Sequence, residues 1–126
     1  MKAYSSIPGA PAPIGPYSVV TVVGNTVYCA GQIALDPETM KIVDGGVEAQ
    51  TAQVIKNLSA VLSHVGSSWD KVAMATVFLA DIASGKVVNE LYSRTVSKDA
   101  PPARQTVAVK DLPLGALVEI SLIAYV

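Results

Sequence analysis

What this sequence is short of narrows its chemistry first. A single cysteine, Cys29, rules out an internal disulfide framework. It sits in the apolar run Val27-Tyr28-Cys29-Ala30, which reads as a buried inert thiol rather than a nucleophile. One histidine and one cysteine are too few for a zinc site of the usual kind, and no cluster of acids offers a carboxylate-only metal site. His64 lies at a helix end followed by a glycine, where it complements the helix dipole rather than performing catalysis. Basic runs are missing too: seven lysines are scattered along the chain and the net charge is −1, which is not the footprint of a nucleic-acid binder. The N-terminus, Met1-Lys2-Ala3-Tyr4-Ser5, lacks an apolar leader core, and no apolar run reaches membrane-spanning length. The expectation is a soluble, cytoplasmic protein. Charged residues make up only 15% against 51% apolar, so some apolar surface is expected to meet another subunit.

The length suits one domain, residues 1–126, with a core of useful size. Residues 6 to 16 hold four prolines and two glycines, a loop stiffened by proline. Tyr17 to Val23 and Thr26 to Ala30, split by Gly24-Asn25, read as a tight hairpin. Residues 47 to 65 carry Val47, Thr51, Val54, Leu58, Val61, Leu62 and Val65 at helical spacing, with Gly66 as the stop. Gln50, Gln53, Lys56, Asn57 and His64 fall on the opposite side. Val72 to Leu79 is apolar on both faces, Val72, Met74 and Phe78 against Ala73, Ala75, Val77 and Leu79, and so belongs inside a sheet. A second helix follows from Ser84, its cap, to Val96, with Val88, Leu91, Tyr92 and Thr95 turned inward. The order is ββ-α-β-α-ββ.

The last two strands carry the densest chemistry. In Pro101 to Val109, Arg104 opens a strand in which Thr106 and Ala108 share its side and Gln105, Val107 and Val109 take the other. Leu117 to Tyr125 alternates in the same way. The segment between them holds Asp111, Pro113 and Gly115, so an antiparallel hairpin is expected. Aligning Val107 and Val109 with Val118, Ile120 and Leu122 puts Arg104 and Thr106 beside Glu119 and Ser121. Two helices cover one sheet face only. The other, with Ile123 and Tyr125, would be closed by a symmetric oligomer, leaving the polar residues in clefts between subunits.

Ala12-Pro13-Ile14-Gly15-Pro16-Tyr17-Ser18, Ala30-Gly31-Gln32-Ile33, Gly66-Ser67-Ser68-Trp69-Asp70-Lys71-Val72, Thr76-Val77-Phe78-Leu79-Ala80-Asp81, Val88-Asn89-Glu90-Leu91-Tyr92 and Pro102-Ala103-Arg104 together resemble the RidA/YjgF family, the reactive-intermediate deaminases. The resemblance spans nearly the whole chain. It implies a chorismate-mutase-like α+β fold, a six-stranded mixed sheet with two helices on one face, closed into a homotrimeric barrel. It also implies hydrolysis of enamines and imines, such as 2-aminoacrylate, 2-iminopropanoate and 2-iminobutanoate, to 2-oxo acids and ammonia. Such intermediates escape pyridoxal-phosphate-dependent dehydratases. No cofactor is implied.

Carried over by position, Arg104 is the carboxylate clamp, Glu119 the acid that places the attacking water, and Tyr17 the tyrosine lining the cleft. Gly31 is the backbone approach to the ligand, Asn89 a cleft asparagine, and Thr106, at a position where members vary, a backbone contact to the imine nitrogen. The stretch Ser93-Arg94-Thr95-Val96 departs from the aromatics common there, and the link from that helix to Arg104 is about two residues shorter. Both concern the outer wall of the cleft and the size of the substrate. Read without the family, Arg104 and Glu119 could equally form a structural ion pair, Tyr17 and Trp69 could simply pack, and Asn89 could sit on the surface. A non-catalytic 2-oxo acid binding protein, a ribonuclease and, on fold analogy alone, a chorismate mutase are the rival functions.

Overall fold

The computed structural model describes residues 1–126. Lys2–Tyr4, too short for any pattern to announce it, forms the edge strand β1 and pairs antiparallel with β2 (Val20–Val23). Gly24-Asn25 then turns the chain into β3 (Thr26–Gln32), Gly24 taking φ 58°, a conformation that costs glycine nothing. Helix α1 (Gly46–His64) buries Val54, Leu58, Val61 and Leu62 completely or nearly so and stops before Gly66, φ 79°. Strand β4 (Val72–Leu79), helix α2 (Gly85–Ser93), β5 (Ala103–Ala108) and β6 (Val118–Tyr125) complete the chain. All six strands join one mixed sheet in the order β1-β2-β3-β6-β4-β5. Val88 and Tyr92 of α2 enter the same apolar cluster as the inward side of α1, so both helices lie on one face of an α+β fold. No helix is long and apolar enough to cross a membrane.

The expected hairpin between the last two strands does not form. β5 lies parallel to β4, with Ala75 opposite Arg104 and Val77 opposite Thr106. β6 runs antiparallel between β3 and β4. The cause is β4, which is apolar on both faces and offers two backbone edges to satisfy. A β5–β6 hairpin would serve only one of them. The connecting segment hooks over the end of β4: the Val109 amide donates to Leu79 O at 2.9 Å, and the Ala80 amide to Leu117 O at 3.1 Å. Within the hook, Pro113–Gly115 forms a single tight turn.

The topology also reverses the expected faces. Ala75, Val77 and Leu79 are fully buried beneath the helices, and registered partners share a face. Arg104 and Thr106 therefore stand on the helix side, while Glu119, opposite Phe78, stands on the open side. Val72 is corrected as well. An irregularity between Val72 and Met74 turns Val72 inward to join Ala75, away from Met74 and Phe78. The open face stays strongly apolar, with Tyr28, Val107 and Tyr125 exposed at 45%, 43% and 50%.

Two helix details differ from expectation. Ser84 is already in helical conformation and caps nothing; Asp81 does the capping, its Oδ1 accepting from the Ala83 amide at 3.0 Å ahead of a short turn at Ile82–Ser84. On α1, Gln50 and Asn57 are buried rather than solvated. Gln50 Oε1 accepts from the Leu117 amide at 2.9 Å, and Asn57 Nδ2 donates to Leu35 O at 3.0 Å. These amides pin two irregular segments to the helix that the apolar stripe alone would leave unattached. Asn57→Ala strips the buried Leu35 carbonyl of its side-chain donor and is expected to destabilise the fold by about 2 kcal/mol, read as a lowered urea midpoint with an unchanged slope.

Candidate active site

The sequence-derived candidates fall into two groups, one on each side of the sheet. On the helix side, Arg104 leaves the exposed edge strand β5 and reaches α2. Its Nη1 donates to Asn89 Oδ1 at 2.6 Å, and its guanidinium carbon lies 4.9 Å from the centre of the Tyr92 ring. Thr106, two residues on, projects from the same side, its Oγ1 buried without a hydrogen-bond partner. Asn89, Tyr92, Pro101, Pro102 and Arg104 line an open groove here. A guanidinium held this way presents the rest of its donor fork to an incoming carboxylate.

On the open side, Glu119 of β6 lies against Gly31. The strand β3 slips register between Cys29 and Gln32, and such a bulge re-aims the local backbone. A Cβ built on Gly31 would sit 2.8 Å from a Glu119 carboxylate oxygen. The glycine therefore makes room for the acid's side chain. Burial pushes the Glu119 carboxyl above its usual pKa, which makes its ionised form a better proton acceptor. Tyr17 arrives on the proline loop, its hydroxyl accepting from the Ile14 amide at 3.2 Å. Tyr17, Gly31, Glu119, Pro13 and Pro113 bound a cavity of about 50 Å³, room for a few water molecules.

Gly31→Ala tests this packing. Gly31 has an ordinary backbone φ, and the atoms a methyl would meet belong to the end of a flexible side chain. The variant is expected to fold with a stability change within about 1 kcal/mol. Because its carboxylate is displaced, any Glu119-dependent activity should fall by about tenfold or more, since small misplacements of a reacting group are costly. A melting curve and a rate assay on one preparation check both halves.

Arg104 and Glu119 form no ion pair in this chain, whose single salt bridge joins Arg94, just past the end of α2, to Glu90 on that helix at 2.8 Å. Other expectations resolve simply. Cys29 is buried and its thiol is pushed up to about 12 by desolvation, far from nucleophilic reactivity. His64 stacks edge-on against Tyr4, ring centres 5.4 Å apart. Trp69 Nε1 donates to Ser59 Oγ at 2.8 Å, fixing the indole as a packing anchor. The residue that sequence reasoning placed only in the core is Tyr92. Its spacing of three from Asn89 on one helix was the available signal, since such residues share a face. Burial raises the Tyr92 pKa, and the nearby Arg104 charge pulls it partly back.

Known proteins resemble the chain throughout. The family model described as Endoribonuclease L-PSP matches residues 8–126. A RutC family protein of Sulfurisphaera tokodaii is 47% identical over 114 residues, 90% of each chain. The crystal structure of RidA from the Antarctic bacterium Psychrobacter sp. superposes with a TM-score of 0.93 at 39% identity, covering 99% of this chain and 100% of that one. Escherichia coli TdcF, crystallised with bound serine, gives a TM-score of 0.89 at 29% identity, with 99% of both chains covered. Sequence and backbone agree over almost the full length, and the chain belongs to the RidA/YjgF family.

Proposed function

We propose that this protein hydrolyses reactive 2-imino and 2-enamine acids, such as 2-aminoacrylate, 2-iminopropanoate and 2-iminobutanoate, to 2-oxo acids and ammonia. The observation that carries the reading is the division of the candidate residues between two sheet faces. Arg104, Asn89 and Thr106 form a carboxylate-binding half on the helix side. Tyr17, Gly31 and Glu119 form a water-handling half on the open side. Each half lacks what the other has, and the apolar open face needs covering. A closed homotrimer meets both needs, with the arginine half of one copy meeting the glutamate half of the next in three clefts. The serine bound in TdcF fits a cleft sized for small amino-acid-like molecules.

In such a cleft Arg104 fixes the substrate carboxylate bidentately and sets the C=N carbon before the Glu119 water. Glu119 accepts a proton as that water's oxygen bonds to the carbon, and the imine nitrogen takes up a proton. Glu119 then returns its proton to the amino group of the aminohydrin, the C–N bond breaks to release ammonia, and the hydroxyl proton passes to solvent, replacing the one the nitrogen took up and leaving the 2-oxo acid. The Thr106 backbone contacts the imine nitrogen and Tyr17 walls the cleft.

The test supplies imine from a threonine dehydratase in the presence of semicarbazide, which traps free imine. Added protein should speed formation of 2-oxobutanoate and lower the semicarbazone signal. Unchanged rates with a folded protein, alongside measurable 2-oxobutanoate affinity, would replace the enzyme with the binding-protein reading. The family model's description favours a nuclease as second reading. Set against it are a lone histidine turned into a contact with Tyr4 and a net charge of −1. RNA cleavage that survives purification to homogeneity would restore it.

A further inference from the structure

Arg104 sits on an exposed edge strand. A side chain so placed samples many rotamers, and ordering it at the moment of binding would weaken affinity. Two contacts already limit it: the bond to Asn89 and the face of the Tyr92 ring. The ring is itself immobile, since Tyr92 is only 6% exposed and packs into the main core. Its hydroxyl is buried and bonds to nothing, so that oxygen is out of reach of a ligand in the groove. Nothing polar on the tyrosine explains its place under the guanidinium. The ring face does.

We propose that Tyr92 is a positioning residue: its aromatic face is the platform that holds the Arg104 guanidinium oriented for a substrate carboxylate before any substrate arrives. The platform works by cation–π attraction to a rigid ring, while Asn89 fixes rotation about the guanidinium by holding one donor. The proposal rests on reading Arg104 as the carboxylate clamp.

The decisive comparison is Tyr92→Phe against Tyr92→Met in the full chain. Phenylalanine keeps the ring and drops only the unpartnered hydroxyl. Methionine keeps comparable bulk and drops the ring. Three readouts are taken: KM and kcat for the dehydratase-derived imine, the Kd for 2-oxobutanoate by calorimetry, and the mobility of the Arg104 Nε–H group by ¹⁵N relaxation without ligand. Only two arginines are present, so Arg94, just past the end of α2 and released from its Glu90 salt bridge by Glu90→Gln in every form compared, serves as the internal reference for a free guanidinium.

Phe should match wild type in all three. Met should raise KM and Kd together by about tenfold, change kcat by no more than about threefold, and leave Arg104 as mobile as Arg94. An Arg104 as mobile as Arg94 in wild type would overturn the platform, even should Met fail to fold. So would a Met variant with wild-type values, or a Phe variant impaired as badly as Met. Should wild type neither turn over imine nor bind 2-oxobutanoate, the clamp reading fails. The relaxation data on the ligand-free protein would still decide the platform.

Discussion

Arg104→Ala is expected to cut kcat/KM for 2-imino acids by about 10²-fold or more, mainly through KM. The variant leaves a substrate carboxylate in the cleft with no charged partner, a loss of about 3 kcal/mol on the usual scale for one side of a hydrogen-bonded charge pair. Stability should fall by no more than about 1 kcal/mol, because Arg104 is exposed, forms no salt bridge and loses only its contacts to Asn89 and the Tyr92 ring. Lysine at this position keeps the charge but loses the planar fork, so Arg104→Lys should recover only part of the loss. Steady-state kinetics of all three forms, with 2-oxobutanoate binding alongside, checks the ordering. An alanine variant as active as wild type would remove Arg104 from the site.

Glu119→Gln should lower kcat by about 10²-fold or more, the usual range for losing a general base, with KM little changed. Its effect on stability should run the other way. Burial raises the folded-state pKa of Glu119 above its ordinary value, so the folded protein holds this proton more tightly than the unfolded chain. That contribution to stability is fully present below the ordinary pKa and is lost as pH rises through the raised one. Near neutrality the glutamate is charged and partly desolvated, and glutamine should melt no lower and in direction higher than wild type. The gap should close toward acid pH. Activity follows the same group with opposite sense, since it needs the carboxylate: the acid limb of the rate profile should rise above the ordinary carboxylate range and vanish in Glu119→Gln. A large drop in melting temperature at neutral pH would instead make Glu119 a structural acid.

Much of the fold was legible because its elements are strongly periodic. The stripe from Val54 to Leu62 marked α1, and Gly24-Asn25 marked the β2–β3 turn. The pairing of β5 was not legible. Two alternating segments joined by a short turn-rich stretch look like neighbours, and no local pattern in β5 or β6 records that β4 has two hungry edges. The faces were misread for a related reason. Placing aliphatic residues inward is sound only where the other face is wet, and here Val107 lies on an apolar open face while Arg104 occupies the helix side. The candidate site residues themselves stand out as motifs. Their separation into two halves does not, since it depends on that register. Tyr92 was hidden by its own burial, which looks like core packing until the guanidinium above it is seen.

The state of Cys29 has a practical consequence. A sulfur this buried, with its thiol held protonated at about 12, should ignore maleimides and disulfide reagents at neutral pH in the folded protein. The natural chain thus behaves toward labelling chemistry as if it carried no cysteine. A thiol introduced on the exposed side of α1, for instance by Ser63→Cys, would be the one reactive handle. Fluorophores, spin labels or short cross-linkers could then report how copies of the chain approach each other, with no native residue removed beforehand.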